Sequence, residues 1–133
     1  MKKVEVAAAI VIDKGEILCV QRGNNKFSYI SEKFEFPGGK IEDQETPELA
    51  LIRELREELN IDVESSCLAP LTFNTHDYGG FYLVLLLYVC RKWNGLVMPM
   101  EDQDICWVKA RDITKYNILP ADIPLIPILR DLL

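Results

Sequence analysis

The sequence contains a single histidine, His76, and none of its four cysteines forms a C-x-x-C pair with another. A structural zinc site takes four Cys or His ligands, usually in such closely spaced pairs, so these counts argue against one. Cys19, Cys90 and Cys106 lie in short apolar runs typical of β-strands. We therefore expect mostly buried free thiols, in a protein of the reducing cytoplasm.

Positive charge is also scarce, because 15 Lys and Arg residues stand against 21 Asp and Glu residues, for a formal net charge of -6. A surface that binds nucleic acid regardless of sequence needs a basic stripe, so we expect no nucleic-acid partner. The longest apolar run, residues 81–90, is too short to cross a bilayer as a helix. The opening MKKVEV enters a strand-like run without the pattern of a signal peptide. These absences predict a cytoplasmic protein with no membrane partner.

What remains is typical of one globular domain. The 133 residues are enough for one hydrophobic core and too few for two, so we expect a single domain over residues 1–133, as a monomer or a dimer. Strands on both sides of a central helix, with a second helix at the end, predict an α/β fold, an α/β/α sandwich around a mixed β-sheet. The predicted strands are residues 4–12, 16–21, 34–36, 63–66, 68–75, 81–91 and 105–108; the predicted helices are residues 47–59, 110–116 and 122–133; residues 22–33 form a polar loop.

The central helix belongs to the most informative stretch, residues 36–61, FPGGKIEDQETPELALIRELREELNI. Thr46 is a suitable N-cap, and Pro47 suits the first helical position, where no backbone donor is missed. Aliphatic side chains then recur at helical spacing and predict a buried stripe. This stripe consists of Leu51, Ile52, Leu55 and Leu59.

Three carboxylates, Glu54, Glu57 and Glu58, crowd onto a neighbouring stripe of the same helix, where like charges cost a few tenths of a kcal/mol per pair. A divalent cation would offset that cost, and carboxylate oxygens suit hard ions such as Mg²⁺ or Mn²⁺. The alternative is a solvated acidic face with pairs such as Arg53 and Glu57. A solvated helix, however, has no use for the glycine pair and the Glu45 loop that precede it.

The spacing within this stretch resembles the Nudix box, G-x5-E-x7-R-E-U-x-E-E-x-G-U, where U is aliphatic. Gly39, Glu45 and residues 53–61 match it at every position except Asn60, where the family usually has glycine. Asparagine is the next most tolerant residue of the left-handed turn that closes such a helix. The segments MKKVEVAAAIVI, FEFPGGK and LPADIPLI are similar to the MutT-like branch of the Nudix hydrolase superfamily, and closest to its CTP pyrophosphohydrolases.

The resemblance implies hydrolysis of a nucleoside diphosphate linked to a further group, on a Nudix fold. It implies that the Gly38 carbonyl, Glu54, Glu57 and Glu58 bind the metal, and that Glu54 and Glu57 are thereby catalytic. A further catalytic carboxylate would be Glu101, six residues before Trp107; the alternative is that Glu101, Asp102 and Asp104 form a solvated acidic loop. The remaining implied roles are structural for Gly39, Glu45 and Arg53, phosphate binding for Lys40, and a position near the nucleotide for Arg22.

The base is expected to meet Asp122, in the motif PADIP, where MutT-like hydrolases of oxidised guanine carry Asn. An ionised carboxylate only accepts hydrogen bonds, and its natural partner is the exocyclic amino group of cytosine. Alternatively, Asp122 caps the last helix, or it is protonated and donates, which readmits 8-oxo-guanine. The candidates for stacking on the base are Phe36, Tyr78, Phe81 and Tyr82.

Three functions follow. The first is a metal-dependent nucleoside triphosphate pyrophosphohydrolase that uses CTP, dCTP or modified cytosine nucleotides. The second is an 8-oxo-dGTP diphosphatase. The third, from another class, is a Nudix module that senses a nucleotide without hydrolysing it; such modules usually lose box carboxylates, and this chain keeps all of them.

Overall fold

The computed structural model describes residues 2–21, 34–116 and 120–132. Arg22 and the predicted polar loop lie outside this part of the chain. The strands are β1 (Lys3–Asp13), β2 (Glu16–Gln21), β3 (Phe34–Glu35), β4 (Gly38–Lys40), β5 (Leu68–Asp77), β6 (Tyr82–Cys90) and β7 (Asp104–Lys109). The α-helices are α1 (Pro47–Leu59) and α2 (Ile126–Leu132), and short 3₁₀ segments cover Ser65–Cys67, Ala110–Lys115 and Pro120–Leu125.

Strand β1 lies at the centre of the sheet and joins its two halves. It runs parallel to β6, from Lys3 opposite Tyr82 to Val11 opposite Cys90, and β6 pairs antiparallel with β5. Strands β4 and β2 both pair antiparallel with β1, at different points along it, and β2 also carries β3 and β7. The expected mixed β-sheet is therefore confirmed.

Alternate residues of β1 supply two separate cores, as the period of two in a strand requires. Ala7 and Ala9 face the leucines of α1, whereas Ala8 and Ile10 face α2 and the 3₁₀ segments before it. Helices thus cover both faces of the sheet. The α/β/α sandwich expected from the order of the elements is confirmed.

Two sequence-based assignments were wrong. Residues 63–66 form no strand: Val63 lies in irregular chain, and the 3₁₀ segment Ser65–Cys67 follows it. The C-terminal helix does not begin at Asp122, since residues up to Leu125 are 3₁₀ and α2 starts at Ile126. Pro124 lies inside that 3₁₀ segment and cannot donate the backbone hydrogen bond that an α-helix would need there.

All four cysteines lie in the described part of the chain and are free thiols, as expected. Cys19 and Cys90 are buried, whereas Cys67 and Cys106 are only partly covered. Among the described helices, none is long and apolar enough to cross a membrane.

Candidate active site

The glycine pair of β4 brings this strand into contact with both β1 and α1. Gly38 has φ +151°, and a Cβ there would lie 2.1 Å from the carbonyl oxygen of Ala7 on β1. A Cβ on Gly39 would lie 2.4 Å from the carboxyl carbon of Glu54. The absence of a side chain at Gly38 therefore allows β4 to lie close to β1, and its absence at Gly39 allows the Glu54 carboxyl group to lie directly against the backbone of β4.

Helix α1 has the limits that its capping residues predict. The Leu49 N–H donates to the Thr46 hydroxyl at 3.2 Å, and Pro47 occupies the first turn. Asn60 ends the helix in the left-handed conformation, with φ 63° and ψ 30°, and its N–H donates to the Arg56 carbonyl. The departure of Asn60 from the family pattern thus preserves the turn that glycine would supply.

The predicted metal-binding glutamates differ widely in exposure. The side chain of Glu57 is 54% exposed, that of Glu54 lies mostly covered against β4, and Glu58 is only 1% exposed. Leu51, in the apolar stripe, is fully buried against the sheet. Glu58 lies at the border between the apolar stripe and the acidic stripe, whereas Glu54 and Glu57 are the carboxylates that a ligand in solvent meets first.

Arg53 connects the loop before the helix to the acidic stripe. Its guanidinium donates to both carboxylate oxygens of Glu45, at 2.8 and 3.0 Å, and to Glu54 Oε1 at 2.9 Å. It also donates to the Lys40 carbonyl at 3.1 Å. The pKa of Glu45 is lowered, first by the hydrogen bonds from Arg53 and then by the Glu42 N–H. This geometry suits the structural roles that the resemblance implies for Arg53 and Glu45.

A third carboxylate, Glu101, acts electrostatically on Glu54 although it is remote from the box in sequence. The pKa of Glu54 is raised, chiefly by burial, and further by the negative charges of Glu57 and Glu101, although Arg53 opposes these effects.

The segment that carries Glu101 docks on the C-terminal end of α1. The N–H groups of Met98 and Met100 donate to the carbonyls of Leu59 and Glu58, at 2.9 and 3.0 Å. The side chain of Gln103 joins the same carbonyl of Glu58 to the Glu101 N–H. Sequence reasoning missed Gln103, and no local pattern signals it, because its partner Glu58 is 45 positions away.

The donors at this site are carboxylate and carbonyl oxygens, which match a hard divalent cation such as Mg²⁺ or Mn²⁺. The cradle between Gly39 and Glu54, which any Cβ would fill, supports the same fit. Within the described residues, no three Asp, Glu, His or Cys side chains already converge into a metal cluster. Arg53 instead holds Glu54 at 2.9 Å and lies 3.5 Å from Glu57, so these carboxylates would turn from Arg53 toward a bound ion.

Asp122 lies on the other face of the sheet and is only 5% exposed. It does not cap α2, which starts four residues later; its carboxyl group instead accepts a hydrogen bond from the backbone N–H of Phe36. Burial, and then the neighbouring Glu35, raise the pKa of Asp122 well above its ordinary value of 3.8, against the opposing effect of the Phe36 hydrogen bond. The residue expected to read the base is therefore a buried carboxyl group beside a second one.

The other predicted substrate-binding residues are placed less uniformly. Phe36 is itself buried in the core on the α2 side. Tyr78 and Phe81 stack on each other at 5.1 Å, at the turn between β5 and β6, and Tyr82 is partly exposed. The side chain of Lys40, at the end of β4, is exposed.

Known proteins resemble this chain over nearly its whole length. A CTP pyrophosphohydrolase from Escherichia coli (strain K12) is 35% identical over 126 residues, which are 95% of this chain and 90% of that protein. An 8-oxo-dGTP diphosphatase from the same strain is 31% identical over 133 residues, 99% of this chain and 100% of that protein. The solution structure of the E. coli ORF135 protein matches with a TM-score of 0.84 and 32% identity, covering 99% of this chain and 91% of that one.

A family model of the NUDIX domain matches residues 1–132. This match includes strand β4 with its glycine pair, Arg53 with its hydrogen-bond partners, and the acidic stripe described above. The chain belongs to the NUDIX domain family.

Proposed function

We propose that this protein is a metal-dependent nucleoside triphosphate pyrophosphohydrolase that converts a cytosine nucleotide (CTP, dCTP or a modified form) and water into the monophosphate and pyrophosphate. As a Nudix hydrolase, it cleaves phosphoanhydride bonds. The observation that carries the proposal is the packing of the Glu54 carboxyl group against Gly39 of β4, with Glu57 and Glu58 on the same helix and the segment of Glu101 hydrogen-bonded to the last turn of that helix. Two similar proteins are named for activity on nucleoside triphosphates, CTP and 8-oxo-dGTP.

The reaction needs positive charge, because a triphosphate is densely anionic and the protein carries a net charge of -6. Glu54, Glu57, Glu58 and the Gly38 carbonyl would hold Mg²⁺ or Mn²⁺, which when bound screens the phosphates and lowers the pKa of water. The exposed ammonium group of Lys40 adds a positive charge next to this position.

Each protein group then has a distinct task. Glu101 accepts the proton of the attacking water, since hydrogen bonds to the Glu58 carbonyl hold its segment against the last turn of α1. Arg53 orients Glu54 and balances its charge through the 2.9 Å hydrogen bond. Proton transfer to a positioned carboxylate typically contributes about 10²–10⁴-fold to a rate.

The base preference rests on Asp122. When ionised, its carboxylate accepts a hydrogen bond from the exocyclic amino group of cytosine. An Asn amide or a hydroxyl is a less suitable partner for that amino group, because each also carries a donor. Glu35, close enough to raise the pKa of Asp122, offers a second acidic group at the same place.

The raised pKa of Asp122 also favours the second candidate, an 8-oxo-dGTP diphosphatase. A protonated carboxyl group both donates and accepts, as the edge of an oxidised guanine requires. The third candidate, a sensor that binds without hydrolysis, has no comparable support, since Glu54, Glu57 and Glu58 are all present.

A panel of nucleotides tests the proposal. Wild type, Glu57→Gln and Asp122→Asn are assayed with CTP, dCTP, 5-methyl-dCTP, dGTP, 8-oxo-dGTP and UTP, with Mg²⁺ or EDTA, and the monophosphate and pyrophosphate are quantified. We expect Mg²⁺-dependent turnover that is highest with cytosine nucleotides, and a kcat about 100-fold or more lower in Glu57→Gln. Glu48→Gln is the matched control on the same helix, because Glu48 lies at its other end beside Tyr88, and it should keep wild-type activity.

Other outcomes identify the alternatives. Highest activity with 8-oxo-dGTP supports the second candidate, and nucleotide binding without turnover supports the sensor. An unchanged cytosine preference in Asp122→Asn contradicts base reading by Asp122. Turnover that is indifferent to divalent ions, or absent with every nucleotide, contradicts the proposed function.

A further inference from the structure

The side-chain amide of Gln103 uses both of its ends on backbone partners. Gln103 Oε1 accepts from the Glu101 N–H at 2.7 Å, and Gln103 Nε2 donates to the Glu58 carbonyl at 2.8 Å. The residue is only 5% exposed, so water does not compete freely for these bonds. An amide that bridges two backbone groups in a buried position fixes the distance between the two segments.

The amide can adopt only one orientation here. A backbone N–H needs an acceptor and a carbonyl needs a donor, so a flipped amide would face donor to donor and acceptor to acceptor. The bridge therefore requires Gln specifically: Glu lacks the donor, and an apolar side chain lacks both groups.

The backbone between Glu101 and Gln103 is shaped for this bridge. Asp102 has φ 56°, the left-handed conformation that Asp tolerates better than most residues. The turn at Asp102 directs the side chain of Gln103 back toward the N–H of Glu101.

The bridge ends at a carbonyl in the last turn of α1, where helix carbonyls lack partners within the helix. The same Glu58 carbonyl accepts from the Met100 N–H at 3.0 Å, so two bonds attach this segment to one point of the helix. Glu57 and Glu58 lie in that turn. The position of Glu101 relative to the acidic stripe is thus set through the end of the helix.

We propose that Gln103 is a positioning residue: by tying the Glu101 backbone to the last turn of α1, it holds Glu101 next to the turn that carries Glu57 and Glu58. The inference rests on the proposed function, since Glu101 matters only if it serves the hydrolysis. Both ends of the Gln103 amide are bound to backbone groups, so Gln103 acts through Glu101 and not on the substrate itself.

Kinetics and amide hydrogen exchange test the inference. Gln103→Leu removes both bonds, and Gln103→Glu keeps the acceptor for Glu101 while it loses the donor for Glu58. We expect both variants to lower kcat by about 10–100-fold, as for other groups that orient a catalytic residue, with KM changed less than about threefold. In the nucleotide-free protein, the amides of residues 100–103 should exchange at least about tenfold faster.

A double-mutant cycle separates positioning from general destabilisation. In a Glu101→Gln background, Gln103→Leu should change kcat less than about twofold, because the group that it positions is already gone. Tyr88→Phe is the matched control: it removes a different partly buried hydrogen bond to α1, from the Tyr88 hydroxyl to Glu48 at 2.9 Å. This control should leave kcat and exchange at residues 100–103 unchanged.

The inference is overturned if the kcat losses of Gln103→Leu and Glu101→Gln multiply, if the Gln103 variants change KM alone, or if their exchange matches wild type. Should Gln103→Leu fail to fold, Gln103→Glu decides by the same measurements. If the wild-type protein hydrolyses no nucleotide, the proposed function is overturned instead. If the wild-type protein is active and the Gln103 variants are unaffected, only the inference about Gln103 is overturned.

Discussion

At the scale of single residues, the ionisation of Asp122 links the base site to stability. Burial and Glu35 raise the pKa of Asp122 in the folded chain, whereas in the unfolded chain it returns to its ordinary value of 3.8. Between those two pKa values the folded state holds a proton that the unfolded state has lost, so the free energy of unfolding falls as pH rises. Each pKa unit of this kind corresponds to about 1.4 kcal/mol.

We therefore expect Asp122→Asn to remove this fall in the free energy of unfolding at higher pH. Its amide oxygen still accepts from the Phe36 N–H and carries no charge to bury, so the variant should match wild type near pH 4 and exceed its stability at alkaline pH. Urea unfolding across the pH range measures the difference. Asp112→Asn is the control, because a hydrogen bond donated by Lys115 lowers the pKa of Asp112. The Asp112→Asn variant should therefore show no gain in stability at alkaline pH. A difference between Asp122→Asn and wild type that does not grow with pH would contradict the burial argument.

At the scale of elements, one residue at each end sets where helix α1 begins and ends. Thr46 supplies the N-terminal cap, and Asn60 the left-handed end that leads to Asp62, which pairs with Asn94. The segment that carries Glu101 is hydrogen-bonded to the last carbonyls of this helix. The end of the helix therefore affects the site as well as the stability of the protein.

We expect Asn60→Ala to destabilise the protein by roughly 1 kcal/mol, because Ala lacks the short polar side chain that lets Asn tolerate the left-handed conformation. Asn60→Gly should be as stable as wild type or slightly more so, because glycine, without a Cβ, has no steric cost in this conformation. Urea midpoints of the three proteins measure the order. Equal midpoints for the Ala and Gly variants would show that the conformation of residue 60 does not limit stability.

At the scale of the whole molecule, one ion would join three parts of the fold. Strand β4, helix α1 and the segment with Glu101 meet at the carboxylates, although they lie far apart in sequence. An ion that binds only this folded arrangement stabilises it by mass action, by about 2.7 kcal/mol at 100 times its Kd.

Addition of Mg²⁺ to the metal-free protein should accordingly raise Tm by about 5–10 °C at saturating concentrations. Glu57→Gln should lose most of this rise and Glu48→Gln should keep it, as measured by circular dichroism at constant ionic strength. An equal rise in both variants would indicate general screening of the net charge of -6 instead of a site.

The features that spacing alone predicted are local ones. The Thr46 cap, the Asn60 end and the buried leucines of α1 depend on residues within a few turns of one another, so the sequence pattern determines them. The order of strands and helices along the chain likewise predicted a sheet covered on both faces. The strand wrongly expected at residues 63–66 shows the limit, since so short a segment does not say whether a partner strand is available.

Tertiary structure decided everything that depends on which remote segments meet. The hydrogen bond from Met100 to Glu58, the bridge from Gln103 to Glu58 and the hydrogen bond from Phe36 to Asp122 each join distant parts of the chain. The same is true of the raised pKa of Asp122, because burial is a property of the packed protein and not of the residue. The sequence by itself determined the family, the acidic helix and the chemistry of its donors; packing determined which other side chains reach them.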